Sequence, residues 1–360
     1  MIKLLHAADL HLDSPFSGLS PEQARQRRRE QRNLPRQLVE LARSHGCDAL
    51  LLAGDLFDSE NAAPDTIDAL RAAFAACPCP VFIAPGNHDF LAPGSAYLTA
   101  DWPENVRIFK QPHFTAVELP QLRCRVFGAG FQSAYEPALL DGFSAPQDGW
   151  TNVMVLHGDA LNPGSPYNAV TKEQIARSGL RYLALGHIHQ ASGLLTAGST
   201  AYAWPGCAMG RGFDELGAKG AYLVTLTETD CALDFLPLEG RRYEILRVPA
   251  GGDALAAVQA ALPAEPSRDI YRVVLTGEDD RPDLQTIYDR CAPRCFSLTL
   301  RDETTPKRDL WQAAGENTLR GLALGTLKAQ YDAAEDDENR RTAALAARIL
   351  LAAMEGRDEP

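Results

Sequence analysis

An α/β fold is predicted by three features of this 360-residue sequence. Short apolar runs alternate with helical stretches over residues 1–240, and five of those runs end abruptly in a polar cluster. In addition, no apolar run approaches the roughly 18 residues that span a membrane; the longest, at 343–354, is broken by Arg348.

Taken in order, the runs at 2–6, 49–53, 81–84, 153–156 and 182–185 read as buried strands, with further strands at 123–127, 221–226 and 232–236. Helices are expected over 64–76 and 171–178, and Ser20-Pro21-Glu22-Gln23 is a helix start. Its Ser is the cap, Pro takes the first turn and Gln stands three residues after the cap. Pro and Gly bracket the run at 238–252. Beyond it come a helix at 253–262, a strand at 270–275 and a helix at 282–291 with Leu284, Ile287, Tyr288 and Cys291 on one face. Phe296, Leu298 and Leu300 then alternate as a half-buried strand does. From Lys307 the pattern is helical, with 316–331 and 339–354 on either side of Glu335-Asp336-Asp337-Glu338; Gly315, Gly321 and Gly325 weaken the first of these helices. The organisation expected is therefore a core at 1–240, a small α+β module at 241–304 and a helical tail at 305–360.

Hydrophobic residues at 45% and charged residues at 23% exclude a disordered or fibrous chain. Eight cysteines without paired C-x-x-C spacing are expected as free thiols. With no signal peptide evident at Met1–His6, a cytoplasmic location is expected. A net charge of −12 argues against a generic nucleic-acid coat but leaves room for local basic surfaces, and a carboxylate metal site would hold part of it.

The chemistry sits directly behind the strands. The five clusters are Asp9-Leu10-His11, Gly54-Asp55-Leu56-Phe57-Asp58, Gly86-Asn87-His88-Asp89, His157-Gly158-Asp159 and Gly186-His187-Ile188-His189. Carboxylates, an amide and neutral imidazoles make mixed N/O sites that suit Mn, Fe or Zn rather than Ca. Two ions need a shared ligand, and a carboxylate such as Asp55 can bridge them. Glycines at 54, 86, 158 and 186 are expected to let the chain turn beside each ligand. Any one cluster alone reads as an ordinary surface turn; five in this order, each behind a strand, do not.

Together these clusters resemble the calcineurin-like metallophosphoesterase signature over residues 1–240, which implies a four-layer α/β/β/α sandwich. The run His6-Ala7-Ala8-Asp9-Leu10-His11-Leu12-Asp13-Ser14-Pro15 and the segment 205–215 are similar to bacterial DNA-repair exonucleases of the SbcD/Mre11 type, especially the YhaO branch. The resemblance implies two divalent ions, Mn expected with Fe or Zn compatible. One ion would be held by Asp9, His11 and His189, the other by Asn87, His157 and His187, with Asp55 bridging. A hydroxide between the metals would attack phosphorus in line, and His88 would assist the leaving oxygen. Asp89 is expected to orient His88 by accepting its other ring N–H. In the Mre11 type the position of Asp58 often carries a histidine thought to help place DNA; here it is Asp, and the metal set is complete.

Substrate contacts are less sharply marked. The basic run 25–32, with Arg27 and Arg28, reads either as a solvated helix face or as a phosphate contact. Arg211 either binds phosphate or pairs with Asp214 or Glu215. His6, His45 and His113 read as structural or surface residues. In the tail, Leu319, Leu322 and Leu327, then Leu345, Ile349 and Ala353, form apolar stripes that pack either on their own domain or on a coiled coil. By resemblance the partners are DNA, an SMC-like ATPase and a second copy of the chain. The expected activity is thus phosphodiester hydrolysis of DNA in repair. A small-molecule phosphodiesterase or phosphatase on the same core is the alternative, and a non-catalytic scaffold is disfavoured by the intact ligand set.

Overall fold

The computed structural model describes residues 1–279, 282–305 and 309–354. Lys307, at the expected start of the helical tail, and residues 355–360 lie outside the described residues. The described chain divides into two compact units, one of residues 1–246, 262–272 and 290–299, the other of 247–261, 273–289 and the chain from 300 onward.

The first unit is built on two six-stranded sheets. In chain order its elements are β1 (Ile2–Ala7), α1 (Pro21–Arg32), α2 (Leu34–Ser44), β2 (Ala49–Leu52), α3 (Pro64–Ala75), β3 (Val81–Ile83), α4 (Ala96–Thr99) and β4 (Val106–Ile108). Then follow β5 (Thr115–Leu119), β6 (Cys124–Gly128), β7 (Thr151–His157), α5 (Lys172–Arg177), β8 (Tyr182–Gly186), β9 (Leu195–Ala197), β10 (Thr200–Ala203), β11 (Gly220–Leu226) and β12 (Cys231–Pro237). The first sheet runs β12-β11-β1-β2-β3-β4 and the second β5-β6-β7-β8-β10-β9.

Period-two burial explains the layering. Leu4, Leu51 and Phe82 of the first sheet pack with Val126, Val155 and Tyr182 of the second in a core between the sheets. The alternate residues Leu5, Leu50 and Leu52 face outward onto Leu34 and Leu38 of α2 and Leu70 and Phe74 of α3. On the far side, Met154, Leu156, Leu183 and Leu185 pack with Ile175 of α5. Covered on both faces, these strands read as unbroken apolar runs, and the result is an α/β/β/α sandwich. The helix start at Ser20 forms as its spacing predicts: Ser20 and Gln23 close a reciprocal capping box on α1.

A three-stranded sheet, β13 (Tyr243–Pro249), β14 (Ile270–Thr276) and β15 (Ser297–Asp302), is interleaved with α6 (Ala254–Ala261) and α7 (Leu284–Cys291). In the second unit, α8 (Leu319–Ala333) packs on α9 (Asp337–Met354) through Leu324, Ala347 and Leu351. Gly321 lies inside α8 because a Cβ there would collide with the carbonyl oxygens of Ala313 and Glu316. Leu327 joins this core, whereas Leu319, Leu322, Leu345 and Ile349 of the expected apolar stripes are exposed.

Candidate metal centre

All five polar clusters lie at the carboxyl ends of parallel strands, β1, β2 and β3 in one sheet and β7 and β8 in the other. Because the sheets face each other, five strand ends open onto one place. The loops after β1 and β2 are fastened to one another. The amides of Asp9, His11 and Leu12 donate to the carbonyls of Gly54, Asp55 and Leu56 at 3.0, 2.9 and 2.8 Å. Asp9, His11, Asp55 and His187 all take left-handed backbone, with φ of 51°, 44°, 49° and 89°. Each such residue costs on the order of 1–3 kcal/mol, a strain that persists where surrounding structure holds it for a function.

Of the four flanking glycines, Gly54 alone has positive φ, at 88°. Space, rather than turning, is what Gly86 supplies, since a Cβ there would run into the Asp55 carboxylate.

The donors gather in two halves. In one, Asp9, His11 and His189 present ligand atoms within 4.8 Å of one another, and the Nε2 atoms of His11 and His189 are 3.1 Å apart. In the other, Asn87 Oδ1 lies 2.9 Å from His157 Nε2 and 3.1 Å from His187 Nδ1. Asp55 stands between them: its Oδ2 is 3.4 Å from His157 Nε2 and 3.8 Å from His11 Nε2. Asp9, Asp55 and His157 are likewise within ligating reach of one another. Seven N and O donors converging at such separations fit divalent cations of the Mn, Fe and Zn group.

The electrostatics agree. Burial raises the Asp9 carboxyl to about 6. Burial would also raise Asp55, but the neighbouring imidazoles of His157 and His11 hold it below the ordinary carboxylate range. His157 loses solvation on burial, yet Asp55 lifts it to about 9. Burial lowers both His11 and His187 to about 4. A largely buried cluster of this composition holds protons where a metal cation would replace them.

His88 is exposed at the rim. Its amide donates to Asp55 Oδ1 at 2.9 Å, and its Nδ1 lies 3.0 Å from the Asp58 carbonyl oxygen. The expectation that Asp89 orients His88 is corrected by this geometry. Asp89 is buried and its carboxylate accepts from the amides of Gly86, Leu56 and Phe57 and from the Tyr97 hydroxyl. Its acceptor positions are used in tying the β2 and β3 loops together, and the carbonyl of Asp58 takes the His88 ring instead.

The expected phosphate contact at Arg27 is also corrected. Its side chain is completely buried, bonded to Glu30 and to the Gly210 carbonyl, so no substrate reaches it. Arg28 is partly exposed and donates to the Pro15 carbonyl at 3.2 Å. Arg211 pairs with Glu215 and with Asp58, each at 2.9 Å. His6 is structural, buried between the Tyr182 hydroxyl and the Leu185 carbonyl.

Two contacts of the site are not marked by the clusters. Glu215, 26 positions beyond His189, accepts from His189 Nδ1 at 2.7 Å and so fixes which ring nitrogen faces inward. Asp58 lies 3.3 Å from His11 Nδ1 on the opposite ring edge from His189. Neither contact could be found from spacing, because each is made between distant loops.

Comparison with known proteins places this geometry. The calcineurin-like phosphoesterase family model matches residues 2–191. The chain is 33% identical over 271 residues to the uncharacterized metallophosphoesterase YhaO of Bacillus subtilis, covering 71% of this chain and 64% of that one. It is 29% identical over 243 residues to the DNA double-strand break repair protein Mre11 of Aeropyrum pernix, covering 62% of this chain and 57% of that one. The chain thus spans less than two thirds of the length of these relatives. Among solved structures it is similar to TT1561 of Thermus thermophilus (TM-score 0.40, 14% identity, 65% of this chain and 98% of that one). It is also similar to a dimetal phosphatase from Danio rerio (TM-score 0.44, 13% identity, 65% of this chain and 95% of that one). Among the described residues no helix is long and apolar enough to cross a membrane. With more than half its length matched and the ligand-type residues converging at the strand ends, the chain belongs to the calcineurin-like phosphoesterase family.

Proposed function

We propose that this metallophosphoesterase hydrolyses phosphodiester bonds of DNA, and that two divalent ions serve the reaction. The observation that carries the two-ion part is Asp55, one carboxylate oxygen of which faces both His11 and His157. Asp9, His11 and His189 would hold one ion, Asn87, His157 and His187 the other, and Asp55 would bridge. When bound, such ions activate a water and neutralise charge on the phosphate. Mn is the metal we expect, since carboxylate, amide and imidazole donors accept it alongside Fe and Zn.

The chain's own groups set the rest. With its Nδ1–H given to the Asp58 carbonyl, His88 keeps Nε2 to exchange a proton with the leaving oxygen. Its exposed position at the rim suits a bulky polymer substrate. DNA as that polymer is supported by the relationship to the Aeropyrum pernix repair protein. The exposed leucines at 319, 322 and 345 with Ile349 support an SMC-like ATPase coiled coil as partner, the occupant we propose for that face.

A specific observation favours a second reading, a small-molecule phosphodiesterase. Arg27 and Arg211 are neutralised by internal acids, which reduces the positive surface available to DNA. Incubating the chain with linear DNA and Mn²⁺ beside a His88→Ala variant separates the two. Fragments made by the wild type and not by the variant support the nuclease. Intact DNA, with turnover of a small phosphodiester, supports the second reading.

A further inference from the structure

We propose that Tyr135 and Tyr167 form a stacking platform for an unpaired nucleobase of the strand whose phosphate lies at the metal centre. The proposal rests on the nuclease reading and names the form of DNA it acts on. The rings make a ladder leading out of the site. Tyr167 packs on His187 with centroids 5.2 Å apart at 40°, and Tyr135 stacks on Tyr167 at 5.5 Å and 26°. Tyr135 ends the ladder and is 62% exposed.

The ladder is held rigidly by the two loops that carry it. The Glu136 amide donates to the Pro166 carbonyl at 3.0 Å, and the Asn168 amide donates to the Glu136 carbonyl at 2.9 Å. Asn168 is fully buried with φ of 51°. Its side chain accepts from the Leu139 amide and donates to the carbonyl of His157, both at 2.7 Å. Tyr135 is therefore fixed relative to a proposed metal ligand, yet its outer face meets solvent. A large aromatic held in place but uncovered loses little freedom on binding a flat partner. Every base offers a π-face, so stacking tolerates any sequence, which suits an enzyme that must accept any strand. In a duplex those faces are occupied by neighbouring bases, so the platform selects unpaired ends and loops. Two ring spacings from His187, it would take a base within one or two nucleotides of the phosphate being cut.

The test measures binding in EDTA, where no cleavage intervenes. Fluorescence anisotropy would compare a labelled ten-nucleotide thymidine strand with a strand of the same length and charge built from abasic residues. The wild type is expected to favour the thymidine strand by about tenfold, the magnitude of one base–aromatic stack. Tyr135→Ala should erase that preference by weakening the thymidine strand alone, with the abasic strand bound as before, and Tyr135→Phe should keep it; a merely structural role for the ring would weaken both strands together. An undiminished preference in Tyr135→Ala, or no preference in the wild type, overturns the platform. Adding Mn²⁺ to the same thymidine strand tests the underlying reading separately. A preference that depends on Tyr135, without cleavage, supports the platform and overturns the nuclease.

Discussion

Asn87, in the loop after β3, and His157, at the end of β7 in the other sheet, are 70 residues apart in sequence and meet with Oδ1 2.9 Å from Nε2. The same oxygen is 3.1 Å from His187 Nδ1, so one amide gathers both imidazoles of its half of the site. Replacing Asn87 with Ala should lower Mn²⁺ affinity in that half by at least the 10–100-fold typical of losing an outer-shell partner, because here a proposed ligand itself is lost. Manganese titration followed by calorimetry checks this; an unaltered isotherm would remove Asn87 from the metal set.

Glu215 supports His189 from behind. Its carboxylate takes the Nδ1 side of the ring at 2.7 Å while Arg211 neutralises it. Glu215→Gln keeps an acceptor but loses the charge, so Mn²⁺ affinity should fall by about tenfold, the low end of the range for such partners. Glu215→Ala, which frees the ring, should fall further. Equal affinities for the two variants would show that Glu215 does not orient His189.

Metal uptake should release protons. Against the effect of burial, Asp55 lifts His157 to about 9, so the metal-free protein carries a proton there at neutral pH. Ligation requires neutral imidazole, and affinity should therefore rise with pH through 7 and 8. Calorimetry in buffers of different ionisation enthalpy should find about one proton released per chain at pH 7.5. A release of zero would contradict the protonated His157.

How far the site is readable follows from where its contacts lie. The strand runs and their polar ends mark Asp9, His11, Asp55, Asn87, His157, His187 and His189, because a strand buried on both faces ends where polarity begins. The short strands β4, β9 and β10, three or four residues each, leave no such run, and the sequence marks none of them. Arg27 reads as a surface cation because a run of arginines on a helix carries no record of which face is buried. Asp89 sits beside His88 in sequence, yet successive residues after a strand point different ways, and its carboxylate turns inward to three amides.

His6 offers a test of the fold rather than the site. Burial lowers it to about 3, so it stays neutral in the folded chain while an unfolded one takes up a proton below about 6.5. A depressed folded pKa gives stability that is present above 6.5 and lost as pH falls toward 3. His6→Gln should flatten the pH dependence of unfolding between pH 4 and 6 by about 1.4 kcal/mol per pH unit, one proton's worth. Denaturant titrations at both pH values measure it, and parallel slopes for the two proteins would show that His6 is not the group responsible.

Asp55, as the proposed bridge between the two halves of the site, should set how many ions the chain holds. After equilibrium dialysis against Mn²⁺, elemental analysis should find two ions per wild-type chain. Asp55→Ala should retain fewer and lose phosphodiester hydrolysis with them. A wild type that holds no ion, or an Asp55→Ala variant that holds two and still turns over, would rule out a two-ion site bridged by Asp55.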